Sequence, residues 1–216
     1  MKQEIAVIGL GKFGFYFAVT LVDLGFTVIG IDNRQTRVQL AKDRLNKVYK
    51  ADSTNKDALE QIGLAEVSHV LISVGDSIAA SSMIAMYAKE LGIAHVWVKA
   101  VNADHQRLLY RLGVDEVIIP EQMAAVQLAS KVAIPGFLQY ATFDPEVSFQ
   151  ELTIDRWAGK SLRQLDLTRR HQVQVISVKK NDSDKFEYTP DPDYIFQPGD
   201  TIIVLRNTNT SNRLRS

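Results

Sequence analysis

With 216 residues, 46% of them hydrophobic and 23% charged, the chain has the make-up of an ordinary globular protein, long for one domain and short for two large ones. Its 25 basic and 25 acidic residues cancel, which argues against a nucleic-acid binder that relies on a basic face. The absence of cysteine excludes disulfides, thiolate catalysis and cysteine-ligated metal. No apolar run approaches the roughly 18 residues that span a bilayer. The opening MKQEIAVIG enters a strand at once, so the expectation is a cytoplasmic chain without a signal peptide.

The first elements organise the rest. Ile5 to Ile8 reads as a buried strand, followed by Gly9, Gly11 and Gly14 in the pattern G-x-G-x-x-G and then by a helix. Gly9 permits a tight turn, Gly11 lets backbone approach a phosphate, and Gly14 lets the helix pack close to the sheet. The helix N-terminus then offers unpaired N–H groups and a positive dipole end to an anion. Thr27 to Ile31 is the second strand, and Asp32 stands at its end, about 20 residues past the turn, where a carboxylate can accept from ribose hydroxyls. Strand, turn, helix, strand and acid at this spacing predict a nucleotide cleft.

Farther along, helical spacing of Val38, Ala41 and Leu45 predicts a helix over Gln35 to Leu45. A short strand at Val48 to Lys50 leads to Ala51-Asp52-Ser53-Thr54, where Asp52 or Ser53 is expected to cap a helix over Asn55 to Ile62 and to lie near an adenine. His69 to Val74 is a buried strand ending at Gly75-Asp76. The helix after it is expected to bury Ala80, Met83, Ile84, Tyr87 and Leu91. A strand at His95 to Val98 leads to Lys99-Ala100, a helix runs from Asp104 to Leu112, and Glu116 to Ile119 is the sixth strand, before Pro120-Glu121. Six strands alternating with helices predict an α/β fold, a Rossmann-like doubly wound parallel sheet.

After a helix over Gln122 to Val132 the pattern changes. The expected organisation is a nucleotide-binding domain over 1–134, a Pro- and Gly-punctuated linker over 135–147, a small α+β domain over 148–207 and a polar tail over 208–216. Within the second domain, strands are expected at Ser148 to Thr153, Gln174 to Lys179 and Thr201 to Leu205, with one short helix over Gly159 to Leu165.

Catalytic machinery is not legible. None of the seven tyrosines has a lysine four residues on, and the four histidines form no i, i+4 pair that would suggest a metal site. His105 is the histidine best placed to reach the cleft. No Gly-x-Ser-x-Gly elbow or P-loop occurs. Two other classes remain to be weighed, a small NAD(P)-dependent oxidoreductase and a redox-sensing repressor. The first lacks an acid/base pair and the second a basic recognition helix.

The segments GLGKFG (9–14), IDNR (31–34), ADST (51–54), VGDS (74–77), VKA (98–100), IIPE (118–121), GKSLRQLDL (159–167) and QPGDTIIVL (197–205) occur in an order that resembles the RCK (KTN) regulatory proteins. These are cytosolic gating subunits of Trk and Ktr potassium uptake systems. The resemblance implies a homo-oligomeric ring, commonly an octamer with paired C-terminal domains, on a membrane-embedded potassium-translocating subunit of the TrkH or KtrB type. It implies an adenine nucleotide (ATP, ADP, NAD or NADH) in the N-terminal cleft and, in some members, cyclic di-AMP at the C-terminal domain. By the same resemblance Gly9, Gly11, Lys12, Phe13 and Gly14 hold the phosphates and Asp32, followed by Asn33 and Arg34, holds the ribose. Asp52 and Ser53 lie at the adenine, while Val74, Gly75 and Asp76 form the opposite wall. Lys99, Ala100, His105 and Glu121 match further ligand-side positions. Lys12 stands where Ktr-type members usually carry arginine.

Overall fold

The computed structural model describes residues 4–74 and 77–208, so Gly75, Asp76 and the tail beyond Thr208 lie outside the described residues. Contacts divide the chain into two compact units between Pro120 and Glu121.

The first unit is built on six parallel strands, β1 (Glu4–Ile8), β2 (Thr27–Asp32), β3 (Lys47–Lys50), β4 (His69–Ile72), β5 (His95–Lys99) and β6 (Glu116–Ile118). Their order across the sheet is β3-β2-β1-β4-β5-β6, with β1 paired in parallel to both β2 and β4. The reversal between β1 and β4 is the switch point of a doubly wound sheet, where the carboxyl ends of strands open a crevice. Connecting helices are α1 (Lys12–Asp23), α2 (Gln35–Ala41), α3 (Lys56–Gln61), α4 (Ile78–Glu90) and α5 (Ala103–Arg111). Central β1 is apolar without alternation because both faces are covered. Ala6 and Ile8 pack into one cluster with Ile72, Ile84 and Val98, while Val7 joins Ala18, Val28 and Leu71 in another.

Three expectations are corrected here. α2 ends at Ala41 rather than running to Leu45. Leu45 is buried outside the helix, filling the space over Gly30, where a Cβ would meet its Cδ1 at 2.7 Å. α3 is capped by Asn55, whose side chain accepts from the N–H groups of Asp57 and Ala58, not by Asp52 or Ser53. α4 buries Ile84 with Tyr87 and Leu91 packed against the core, as expected, but leaves Met83 outside. Ser81, Ile84, Ala85 and Ala88 are buried while Met83 is 40% exposed, because small side chains let this helix sit close on the sheet.

The second unit begins with α6 (Pro120–Ala133) and continues as a five-stranded antiparallel sheet in the order β10-β9-β11-β8-β7. The stretch read as a linker is the start of that sheet. β7 (Phe137–Ala141) and β8 (Asp144–Thr153) form a hairpin, and Gly136, at φ 72°, meets Glu151 so closely that a Cβ would lie 2.0 Å from the Glu151 carbonyl oxygen. α7 (Leu162–Leu165) is shorter than expected and starts at a reciprocal capping box between Ser161 and Gln164. α8 (Leu167–His171) follows, an element with no expectation behind it. The remaining strands are β9 (Val173–Lys179), β10 (Phe186–Tyr188) and β11 (Thr201–Asn207), the last pairing with both β8 and β9. Asp200, buried before β11, accepts from the Tyr194 hydroxyl (2.7 Å), Gln197 N–H (2.8 Å) and Asn181 N–H (3.0 Å), which locks the Pro198-Gly199 turn. Burial and that acid together push the Tyr194 hydroxyl up to about 12.

Candidate functional site

The site grows from the end of β1. Gly9, at φ 93°, takes a conformation that favours glycine, and a Cβ there would lie 2.4 Å from the Ser73 carbonyl oxygen. A Cβ on Gly14 would lie 2.0 Å from the Gly9 carbonyl oxygen. The protein's own packing therefore demands both glycines. Gly11 is different. Its φ is −67°, which any residue adopts, and the nearest atoms to an added Cβ are those of the Arg37 guanidinium at 3.7 Å. Nothing in the folded chain requires a glycine at 11. Gly11 is also the N-cap of α1, and no side chain caps that helix, whereas α3, α4 and α5 start on Asn55, Ser77 and Asn102 side chains that accept from backbone N–H groups. The first turn of α1 carries no acid, so its dipole end keeps its positive character.

Asp32 closes the other side of the turn. It is 4% exposed, and its Oδ2 accepts from Leu10 N–H at 2.8 Å while Oδ1 accepts from Arg34 N–H at 2.8 Å. The Arg37 guanidinium donates to Oδ2 at 3.2 Å. The acid thus ties the glycine turn to the end of β2. Around it runs a cleft of about 270 Å³ lined by Ile8, Gly9, Ile31, Asp32, Asn33, Arg34, Arg37, Ala51, Asp52, Ser53, Thr54, Val74, Ala80 and Ile84. The lining combines apolar side chains (Ile8, Ile31, Val74, Ala80 and Ile84) with charged ones (Asp32, Arg34, Arg37 and Asp52). Asp52 accepts from both the hydroxyl (2.7 Å) and the N–H (3.0 Å) of Thr54, and the Thr54 hydroxyl, more than its N–H, holds the Asp52 carboxyl below its ordinary range.

Of the residues singled out in the sequence, Gly9, Asp32, Asn33, Arg34, Asp52, Ser53 and Val74 meet in this cleft, with Gly11 and Lys12 at its turn. Phe13 is not aimed there. Its ring stacks on Phe17, 6.3 Å between centroids, within the apolar cluster under α1. Lys99 and Ala100 sit at the end of β5, off the cleft lining. His105 is 1% exposed and lies between helices rather than in the cleft. Val101 N–H donates to its Nδ1 at 3.2 Å, so Nε2 carries the proton and faces the Ser81 hydroxyl at 3.2 Å. Burial holds its pKa below the ordinary histidine value. Glu121 is exposed in the first turn of α6 and belongs to the second unit. Sequence reasoning missed Arg37. The available signal was its place five residues past Asp32, in the first turn of α2, where a long side chain can reach back to that acid.

No group of three or more potential metal-ligating His, Cys, Asp or Glu occurs among the described residues, and no helix among them is long and apolar enough to cross a membrane.

A glycine turn at a sheet switch point, an acid ending the neighbouring strand and a separate antiparallel unit define the class, a Rossmann-like domain joined to a small α+β domain. The TrkA-N domain model matches residues 5–120 and the TrkA-C domain model matches residues 150–216. The chain belongs to this TrkA family. It is 31% identical over 181 residues to Ktr system potassium uptake protein C of Bacillus subtilis (strain 168), covering 83% of this chain and 82% of that protein. It is 30% identical over 216 residues to Ktr system potassium uptake protein A of Vibrio alginolyticus, covering 99% and 97%. Among solved structures, the GsuK channel bound to NAD has the same fold (TM-score 0.55, 18% identity), matching 96% of this chain and 37% of that one.

Proposed function

We propose that the chain is a nucleotide-binding regulatory subunit of a Ktr- or Trk-type potassium uptake system, and not an enzyme. The observation that carries the nucleotide is Gly11. Packing accounts for Gly9 and Gly14 but leaves Gly11 without a reason inside the folded chain, and a phosphate that must approach the backbone supplies one. The proposed ligand is an adenine nucleotide, ATP, ADP, NAD or NADH. Gly9, Gly11, Lys12 and Gly14 meet the phosphates, Asp32 with Asn33 and Arg34 the ribose, and Asp52, Ser53 and Val74 the base. Phe13 and His105 act as packing residues beneath the site. The likeness to potassium uptake proteins over nearly the full length supports a transporter role at the inner face of a membrane, through a membrane-embedded partner.

Self-assembly is proposed on α6. Residues 121–129 are exposed along the whole stretch, and Met123, Leu128 and Val132 present apolar side chains to solvent, which a partner copy would cover. Lys12 of one copy is proposed to meet Glu121 of another, so that a terminal phosphate at Lys12 biases the ring. In the second unit, an open groove lined by Arg163, Arg169, Arg170 and Tyr188 is the proposed place for cyclic di-AMP.

The test is a thermal-shift titration with ATP, ADP, NAD, NADH and cyclic di-AMP, followed by sizing of the liganded protein. Stabilisation by an adenine nucleotide is expected, and none by any of them would sink the reading. With NADH or NAD and a panel of alcohols, aldehydes and quinones, no change at the nicotinamide absorbance is expected. Turnover that copurifies with the protein would revive an oxidoreductase.

A further inference from the structure

Asp32 is expected to receive a ribose, yet three donors already use its carboxylate. Leu10 N–H and Arg37 share Oδ2, and Arg34 N–H takes Oδ1. A carboxylate has about four acceptor positions, so two ribose hydroxyls exceed what remains while Arg37 stays in place. The two backbone donors are fixed by the turn and by the start of α2. Only Arg37, on a flexible stem and about one-third exposed, can leave.

The guanidinium also covers the face of Gly11. Its Cζ and both terminal nitrogens lie 3.7 Å from where a Cβ on Gly11 would stand. That is the surface left bare for a phosphate. Guanidinium and phosphate cannot occupy it together, but a phosphate arriving there meets a planar, permanently charged fork suited to it.

We infer that Arg37 is a specificity latch for phosphate. It holds Asp32 and shields Gly11 while the cleft is empty, and it exchanges the carboxylate for the 5′-phosphates when a nucleotide enters. The inference rests on the nucleotide reading of this cleft. Its consequence is selective. A ligand with a 5′-phosphate replaces the ion pair it breaks, whereas adenosine breaks the pair without replacement. The latch therefore favours nucleotides over nucleosides, independently of which nucleotide is native. A mere structural tie would treat every ligand alike.

The experiment is calorimetric binding of adenosine, ADP and 2′-AMP to the full chain, wild type, Arg37→Ala and Arg37→Lys, with apo unfolding followed in parallel. For Arg37→Ala, the preference for ADP over adenosine is expected to fall about ten-fold, chiefly because adenosine, which no longer has an ion pair to break, binds more tightly, while ADP loses both the pair it breaks and the one it makes. Arg37→Lys, which keeps charge without the planar fork, should fall between them. Parallel weakening of adenosine and ADP, or no change in either, overturns the latch while ADP binding by the wild type preserves the nucleotide reading. Selective weakening of 2′-AMP would place the guanidinium on the ribose side and also overturn it. Failure of the wild type to bind ADP at all overturns both.

Discussion

At the scale of single residues, the three glycines of one motif answer to different forces. Gly9→Ala forces a non-glycine side chain to φ 93°, a strain of roughly 1–3 kcal/mol before the contact with Ser73 is counted. Gly14→Ala pushes a methyl into the Gly9 carbonyl. Gly11→Ala meets ordinary van der Waals space and should change stability by no more than about 1 kcal/mol, the span of N-cap effects. Urea unfolding of the three variants should separate them in that order, and calorimetry should find nucleotide binding lost in Gly11→Ala despite its intact fold. A folded Gly11→Ala that binds ADP as well as wild type contradicts the phosphate role. Asp32→Ala should remove most adenine-nucleotide affinity, since hydrogen bonds to a charged group contribute roughly 1.5–3 kcal/mol each. The same acid should favour NAD over NADP, by repelling a 2′-phosphate.

At the scale of elements, α4 and α5 are joined by a neutral histidine. His105 accepts from Val101 N–H and faces Ser81 and Ser82 across the helix pair. Its folded pKa lies below the ordinary 6.5 because burial disfavours the charged ring. A depressed pKa contributes stability that is fully present above about 6.5 and is lost as pH falls through the folded value. His69 adds to the same trend, its pKa lowered first by burial and then by His95, whose ring stacks on it at 4.3 Å. The denaturation midpoint should therefore drop as the pH falls below about 6.5, and His105→Gln should flatten that dependence. An equally steep pH profile in His105→Gln would assign the effect elsewhere.

At the scale of the whole molecule, α6 is a helix whose exposed apolar side chains include Leu128 and Val132, the latter 90% exposed. These two stand four residues apart, on one face. Placing acids on that face, as in Leu128→Glu with Val132→Glu, should shift the protein toward monomer in sedimentation while leaving its unfolding nearly unchanged. A monomeric wild type would refute assembly through α6. Lys12 and Glu121 are proposed to meet between two copies of the chain. A unit charge pair roughly 4 Å apart at intermediate dielectric is worth about 4 kcal/mol, enough to bias two ring shapes. Lys12→Ala and Glu121→Gln should each keep nucleotide affinity within about 1–2 kcal/mol yet lose any difference between ATP and ADP in reconstituted potassium flux. Variants that still discriminate would move the switch elsewhere.

Local pattern was enough for the six parallel strands, the glycine turn and the placement of Asp32, because strand burial and turn chemistry depend on neighbours within a few residues. Even so, pattern placed Met83 on the buried face of α4, where Ser81, Ala85 and Ala88 are buried with Ile84 and Met83 is left exposed. It read the hairpin of β7 and β8 as a linker because Pro135, Gly136 and Pro145 mark turns equally well in either setting. The pairing of β8 with β11, some fifty residues on, is a long-range choice that no local signal carries. His105 followed the same rule, its helix foreseen but its place inside the packing set by how α4 and α5 meet. Arg37 was overlooked for the opposite reason. An arginine in the first turn of an exposed helix is commonplace by sequence, and while Asp32 lies within local reach, only the return of β2 beside β1 brings Gly11 against its side chain.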